Sequence, residues 1–137
     1  MSVDGKIRVV IADDVELCQE LLSNILRNEQ CEVVACAADG ESAWRSILQH
    51  QPDIVFLDVE MPIMSGMDIL RMAKEKGQNL YAVIVSGESD FEQIRLALEL
   101  GAKAYVTKPV TDDRVRQVLN CFRRLSPGSD LRNPLIQ

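Results

Sequence analysis

Several residues able to do chemistry stand where apolar runs stop. Ile7-Arg8-Val9-Val10-Ile11-Ala12 ends on Asp13-Asp14, and Asp53-Ile54-Val55-Phe56-Leu57 ends on Asp58. Tyr81-Ala82-Val83-Ile84-Val85 ends on Ser86-Gly87, and Ala104-Tyr105-Val106 is followed by Thr107-Lys108-Pro109. Three carboxylates held close together repel, and a buried carboxylate without a partner is costly. A hard divalent cation resolves this, and oxygen ligands with positions left for water suit Mg²⁺ or Mn²⁺. A cation, a lysine and a hydroxyl donor together prepare a place for a phosphoryl group. The sequence has no Walker loop and no G-x-G-x-x-G, so a nucleotide cradle has no support.

These residues converge only if the runs are parallel strands, and the segments between them argue that they are. Cys18, Leu21, Leu22 and Ile25 repeat at helical spacing, as do Ala43, Trp44, Ile47 and Leu48. Ile69, Leu70 and Ala73 mark a third helix, with Gly77 suited to its C-terminal cap. Asp90 suits the N-cap of a fourth helix bearing Phe91, Ile94 and Leu98, stopped by Gly101. Val115, Val118, Leu119 and Phe122 mark a fifth. With a second strand over Glu32–Ala37, the order is strand then helix, five times. Apolar strands with crossover helices predict a parallel sheet in a three-layer α/β domain. Such sheets bind ligands beyond the carboxyl ends of their strands. The second strand offers only Ala38-Asp39-Gly40 there, which reads as turn chemistry.

The 137 residues suffice for one domain with a real core. Apolar residues make up 47% and charged residues 26%, the balance of a globular chain and not of a disordered one. Fifteen Lys and Arg against 21 Asp and Glu give a net charge of −6. An acidic surface argues against direct nucleic-acid binding by this domain. No apolar run reaches membrane-spanning length, and the polar Met1–Lys6 segment does not read as a secretory signal. Cys18, Cys31, Cys36 and Cys121 form no C-x-x-C pair, and His50 is the single histidine, so a zinc site is not expected. Reduced, packed thiols in a cytoplasmic protein are expected instead. The domain is expected over residues 1–125, and Ser126-Pro-Gly-Ser-Asp130 opens a tail or linker over 126–137.

The chain resembles a response-regulator receiver domain over about residues 6–125. The motifs that carry the resemblance are Ile11-Ala12-Asp13-Asp14 and Val55-Phe56-Leu57-Asp58-Val59-Glu60-Met61-Pro62 with Gly66. Val83-Ile84-Val85-Ser86-Gly87 and Ala104-Tyr105-Val106-Thr107-Lys108-Pro109 complete them. The resemblance implies a flavodoxin-like, CheY-like (βα)5 sandwich with a five-stranded parallel sheet of order 2-1-3-4-5. It implies a phosphorelay step, in which Asp58 takes a phosphoryl group from a phosphohistidine on a sensor histidine kinase or a histidine phosphotransfer protein. Asp13, Asp14, Asp58 and the backbone carbonyl of Glu60 would hold Mg²⁺. Lys108 and Ser86 would each contact a phosphoryl oxygen, and Gly87 would let its backbone approach closely. Ser86 and Tyr105 would form a switch that repacks the face of the fourth helix, fifth strand and fifth helix. That face would serve an output domain, a partner protein or a homodimer. The Lys108–Pro109 bond is expected to be cis.

Some positions depart from the family pattern. Ser86 stands where Thr is commoner, and Val110 where Phe is frequent. Gly101-Ala-Lys-Ala-Tyr105 lacks the paired Asp typical of receivers joined to winged-helix outputs. Two other readings are open to the same residues. A haloacid-dehalogenase-type phosphatase also uses a strand-end Asp, a Ser or Thr and a Lys. It needs an Asp two residues after the nucleophile, where this chain has Glu60, and its metal-binding acids come late in the chain. A receiver-like interaction module that is never phosphorylated would be expected to lose the acid pair, the acceptor or the lysine, and none is lost here.

Overall fold

A computed structural model describes residues 5–125. The expected tail or linker over 126–137 lies outside the described residues. Within them, strands and helices alternate five times, as the apolar periodicity predicts. In chain order they are β1 (Ile7–Ala12), α1 (Glu16–Asn28), β2 (Cys31–Ala37), α2 (Gly40–His50), β3 (Ile54–Asp58), α3 (Gly66–Glu75), β4 (Ala82–Ser86), α4 (Phe91–Glu99), β5 (Ala104–Thr107) and α5 (Asp112–Leu125). All strand pairs are parallel and the order is β2-β1-β3-β4-β5.

Alternation along each strand divides the core between the two faces of the sheet. Val9, Ile11, Phe56, Val83, Val85 and Val106 face α1 and α5, meeting Leu22, Ile25, Leu26, Val115, Val118 and Leu119. Val10, Ala12, Val55, Leu57 and Ile84 face the other way, against α2, α3 and α4. Both central strands after β1 are buried along their whole length. The edge strand β2 is not, and exposes Glu32 and Cys36.

Helix caps follow local chemistry. Asp39 and Asp90 accept bonds from the backbone N–H of Ser42 and Gln93. Ser65 and Asp68 form a reciprocal capping box on α3. Gly77 lies just past α3 at φ 69°, a left-handed turn that suits glycine.

Three expectations are corrected. On α1 the buried stripe is Leu22, Ile25 and Leu26, while Leu21 is exposed and Cys18 only half-buried. On α4 only Ala97 is buried; Phe91 is 71% exposed and Leu98 49%. A small residue faces the sheet there, so the helix lies close and its large apolar residues point outward. The thiols are not uniformly packed: Cys31 is buried, but Cys36 and Cys121 are exposed.

Candidate functional site

The carboxyl ends of β1, β3, β4 and β5 place the four groups of acids, hydroxyl and lysine on one edge of the sheet. One carboxylate oxygen from each of Asp13, Asp14 and Asp58 lies within 4.8 Å of the others. Asp13 and Asp58 are buried and Asp14 is exposed. Lys108 reaches across from β5, its Nζ 2.9 Å from Asp13 Oδ2 and 3.2 Å from Asp58 Oδ2. One ammonium thus bridges two of the three carboxylates, leaving net negative charge at a partly buried site.

The electrostatics follow. Burial, and then the charge of Asp13, raise the Asp58 carboxyl above its usual value, against the pull of Lys108. Burial opposes the charge on Lys108, but its Asp13 hydrogen bond and the charges of Asp58 and Asp13 outweigh this and hold its pKa above the usual value. The donor set is all oxygen, with a surplus of negative charge that a divalent cation would balance. The residues present therefore fit Mg²⁺.

Local structure fixes these groups. The Val15 N–H donates to Asp13 Oδ1 at 2.9 Å, and Gln19 Nε2 donates to the Asp13 carbonyl at 2.6 Å. The Glu60 N–H donates to Asp58 Oδ1 at 3.3 Å, and the Glu60 side chain is exposed. Gly66 lets α3 start against β3, because a Cβ there would lie 2.4 Å from the Asp58 carbonyl oxygen. Gly40 is more than turn chemistry. Its N–H donates to the Pro62 carbonyl, and a Cβ would lie 2.1 Å from the Met64 carbonyl oxygen. It therefore seats the loop that follows Asp58. Gly87 is different: a Cβ there meets nothing within 4 Å, so the fold itself does not require glycine at this position. The Lys108–Pro109 bond is cis.

Ser86 is buried at the end of β4. Its Oγ accepts from the Glu88 N–H at 3.0 Å and from Gln93 Nε2 at 3.1 Å. The Tyr105 hydroxyl does not simply face water. It donates to the Glu88 carbonyl at 2.8 Å and accepts from the same Gln93 Nε2 at 2.5 Å. The sequence reading thus brought Ser86 and Tyr105 to one region but missed Gln93, Gln19 and Gly40. A lone glutamine on a helix carries no signal of its partners.

Comparison with known proteins agrees with this geometry. The family model for the response regulator receiver domain matches residues 9–120. The chain is 39% identical over 105 residues to a protein-glutamate methylesterase/protein-glutamine glutaminase of Geobacter sulfurreducens, covering 76% of this chain and 28% of that protein. It is 30% identical over 131 residues to the probable C4-dicarboxylate response regulator DctR of Bacillus subtilis, covering 95% of this chain and 58% of that one. The chain thus spans less than two thirds of the length of each of these curated relatives. Among solved structures, it matches a chain of the CheX–CheY–BeF3–Mg complex of Borrelia burgdorferi with a TM-score of 0.80 and 30% identity, covering 84% of this chain and 87% of that one. The receiver domain of NarL from Mycobacterium tuberculosis matches with a TM-score of 0.81 and 30% identity, covering 87% and 98%.

Proposed function

Because this chain belongs to the response regulator receiver domain family, we propose that Asp58 is its phosphoacceptor and that the cluster around it is the phosphotransfer site. The observation that carries this is the Lys108 ammonium bridging Asp13 and Asp58 at 2.9 and 3.2 Å within a group of three carboxylates. The domain is a signalling phosphoacceptor that assists its own phosphorylation and dephosphorylation.

A carboxylate oxygen of Asp58 attacks the phosphorus of a phosphohistidine. The P–N bond breaks and its electron pair stays on the imidazole, leaving an acyl phosphate on Asp58. Such transfers need positioning and charge neutralisation more than covalent help. Lys108 moves its ammonium from carboxylate to phosphoryl oxygen over a short distance. Ser86 donates its hydroxyl proton to another phosphoryl oxygen, and Gly87 leaves the approach open. Asp13, Asp14, Asp58 and the Glu60 carbonyl would hold Mg²⁺, or Mn²⁺, which supplies charge neutralisation when bound. Water attacking the phosphorus later restores the Asp58 carboxylate.

The donor is a sensor histidine kinase or a histidine phosphotransfer protein, and Ser86 and Tyr105 pass the state of the site to the α4–β5–α5 face. An output domain, partner or second copy reads it there; Phe91 and Leu98 leave α4 with exposed apolar surface. No described helix is long and apolar enough to cross a membrane, and the location proposed for this step is the cytoplasm. Incubation with Mg²⁺ and a small phosphoryl donor is expected to add one phosphoryl group by intact mass. Asp58→Asn and a chelator should each abolish the gain. Uptake by the Asp58→Asn protein would overturn the assignment.

A further inference from the structure

We propose that Gln93 is a positioning residue that ties Ser86 to Tyr105 and aims the Ser86 hydroxyl proton at the phosphoryl group; this rests on the phosphoacceptor reading above. A serine hydroxyl has one proton and two lone pairs. Both lone pairs on Ser86 Oγ are engaged, by the Glu88 N–H and by Gln93 Nε2. Only the proton is left, so Ser86 is set to donate. The Tyr105 proton goes to the Glu88 carbonyl. The Gln93 atom facing Tyr105 Oη must therefore be a donor, which fixes the amide with its nitrogen inward.

One Gln93 nitrogen thus spends its two N–H bonds on the two hydroxyls. Donation into Ser86 Oγ makes its own proton a stronger donor, since hydrogen bonds in a chain polarise one another. The same amide anchors both hydroxyls to half-buried Gln93 on α4. A shift of Ser86 toward a phosphoryl oxygen pulls on Gln93, and Gln93 pulls on Tyr105 and the helix that carries it. Glu88 also joins the two hydroxyls, but through its main chain, which no substitution removes.

The test is a double-mutant cycle. The probe is beryllium fluoride with Mg²⁺, a phosphoryl stand-in, titrated into the full chain and followed by NMR, with thermal unfolding confirming that each variant is folded. Gln93→Met keeps the length and removes both bonds. It is expected to weaken binding about threefold, the scale of one net hydrogen bond. Tyr105→Phe is expected to change binding about threefold in the native background, but under about 1.5-fold beside Gln93→Met. The isosteric Gln93→Glu places an acceptor where two hydroxyls need a donor, and should weaken binding more than Met does. Independent, multiplying effects of Gln93→Met and Tyr105→Phe, or native binding by Gln93→Glu, would overturn the proposal while leaving Asp58 as acceptor. Failure of the native chain to bind the probe would overturn the phosphoacceptor reading itself, and this proposal with it.

Discussion

The two ends of the sheet each hold a polar cluster, and they differ in whether like charges are gathered together. At the amino end, the Arg8 N–H donates to Asp53 Oδ2 at 2.8 Å, and the Asp53 N–H returns a bond of 2.8 Å to the Arg8 carbonyl. The Arg8 guanidinium reaches the carbonyls of His50 at 2.7 Å and Gln51 at 3.3 Å, where α2 ends. The Asp53 carboxylate is tied to the backbone of β1, and the Arg8 guanidinium to the last carbonyls of α2. At the carboxyl end, three carboxylates are gathered around one lysine that pairs with two of them. Burial and the neighbouring Asp13 charge raise the Asp58 carboxyl there, and perturbed titratable groups of this kind cluster at functional sites.

The largest test of this contrast is Asp58→Asn. It should abolish phosphoryl uptake and also stabilise the metal-free fold, by roughly 0.5–2 kcal/mol, as relieving a strained site commonly does. The sign follows from the raised carboxyl. The folded chain holds the Asp58 proton more tightly than the unfolded one. That contribution is complete below the ordinary carboxyl value of 3.8 and is lost as pH rises through the folded value. Thermal melts in chelator across this range should fall with pH more steeply for the native chain than for Asp58→Asn.

Lys108→Met should slow phosphoryl uptake by about 10²-fold or more, as expected for loss of one preorganised charge. Unlike Asp58→Asn it should also destabilise, because Asp13 and Asp58 then lack their cation; rapid-quench uptake and melts separate the two effects. Arg8→Ala should affect stability alone, lowering it by roughly 1–2 kcal/mol through the His50 and Gln51 carbonyls that lose the guanidinium, while the folded protein takes up the phosphoryl group at the native rate. Two glycines divide in the same way, and the second gives the smallest effect. Gly66→Ala should cost about 1–3 kcal/mol, because its Cβ meets the Asp58 carbonyl, and should slow uptake. Gly87→Ala should leave denaturant midpoints nearly unchanged, since its Cβ meets open space.

Much of this was legible because strands report themselves. A run such as Ile54–Leu57 is apolar at every position only when both faces are covered, and its end locates the ligand edge. Asp13, Asp58, Ser86 and Lys108 could be placed together on that ground. Side-chain burial on α1 and α4 was less legible, because periodicity fixes a stripe but not the side that packs closest. Ala97 rather than Phe91 or Leu98 faces the sheet on α4. Cys36 is exposed because β2 is an edge strand, a fact of strand order and not of local sequence. Gly40 and Gln93 escaped notice for a related reason: their work is defined by Met64, Ser86 and Tyr105, which are distant in sequence.

The most direct test of the central claim is to map the phosphoryl group. After phosphorylation with Mg²⁺ present, borohydride reduces an acyl phosphate to the alcohol, and peptide sequencing by mass reads which carboxylate was modified. Reduction is expected at Asp58 alone, with Asp13 and Asp14 untouched. Reduction at Asp13 or Asp14, or at Asp53 at the amino end of the sheet, would contradict the assignment of Asp58 as the acceptor.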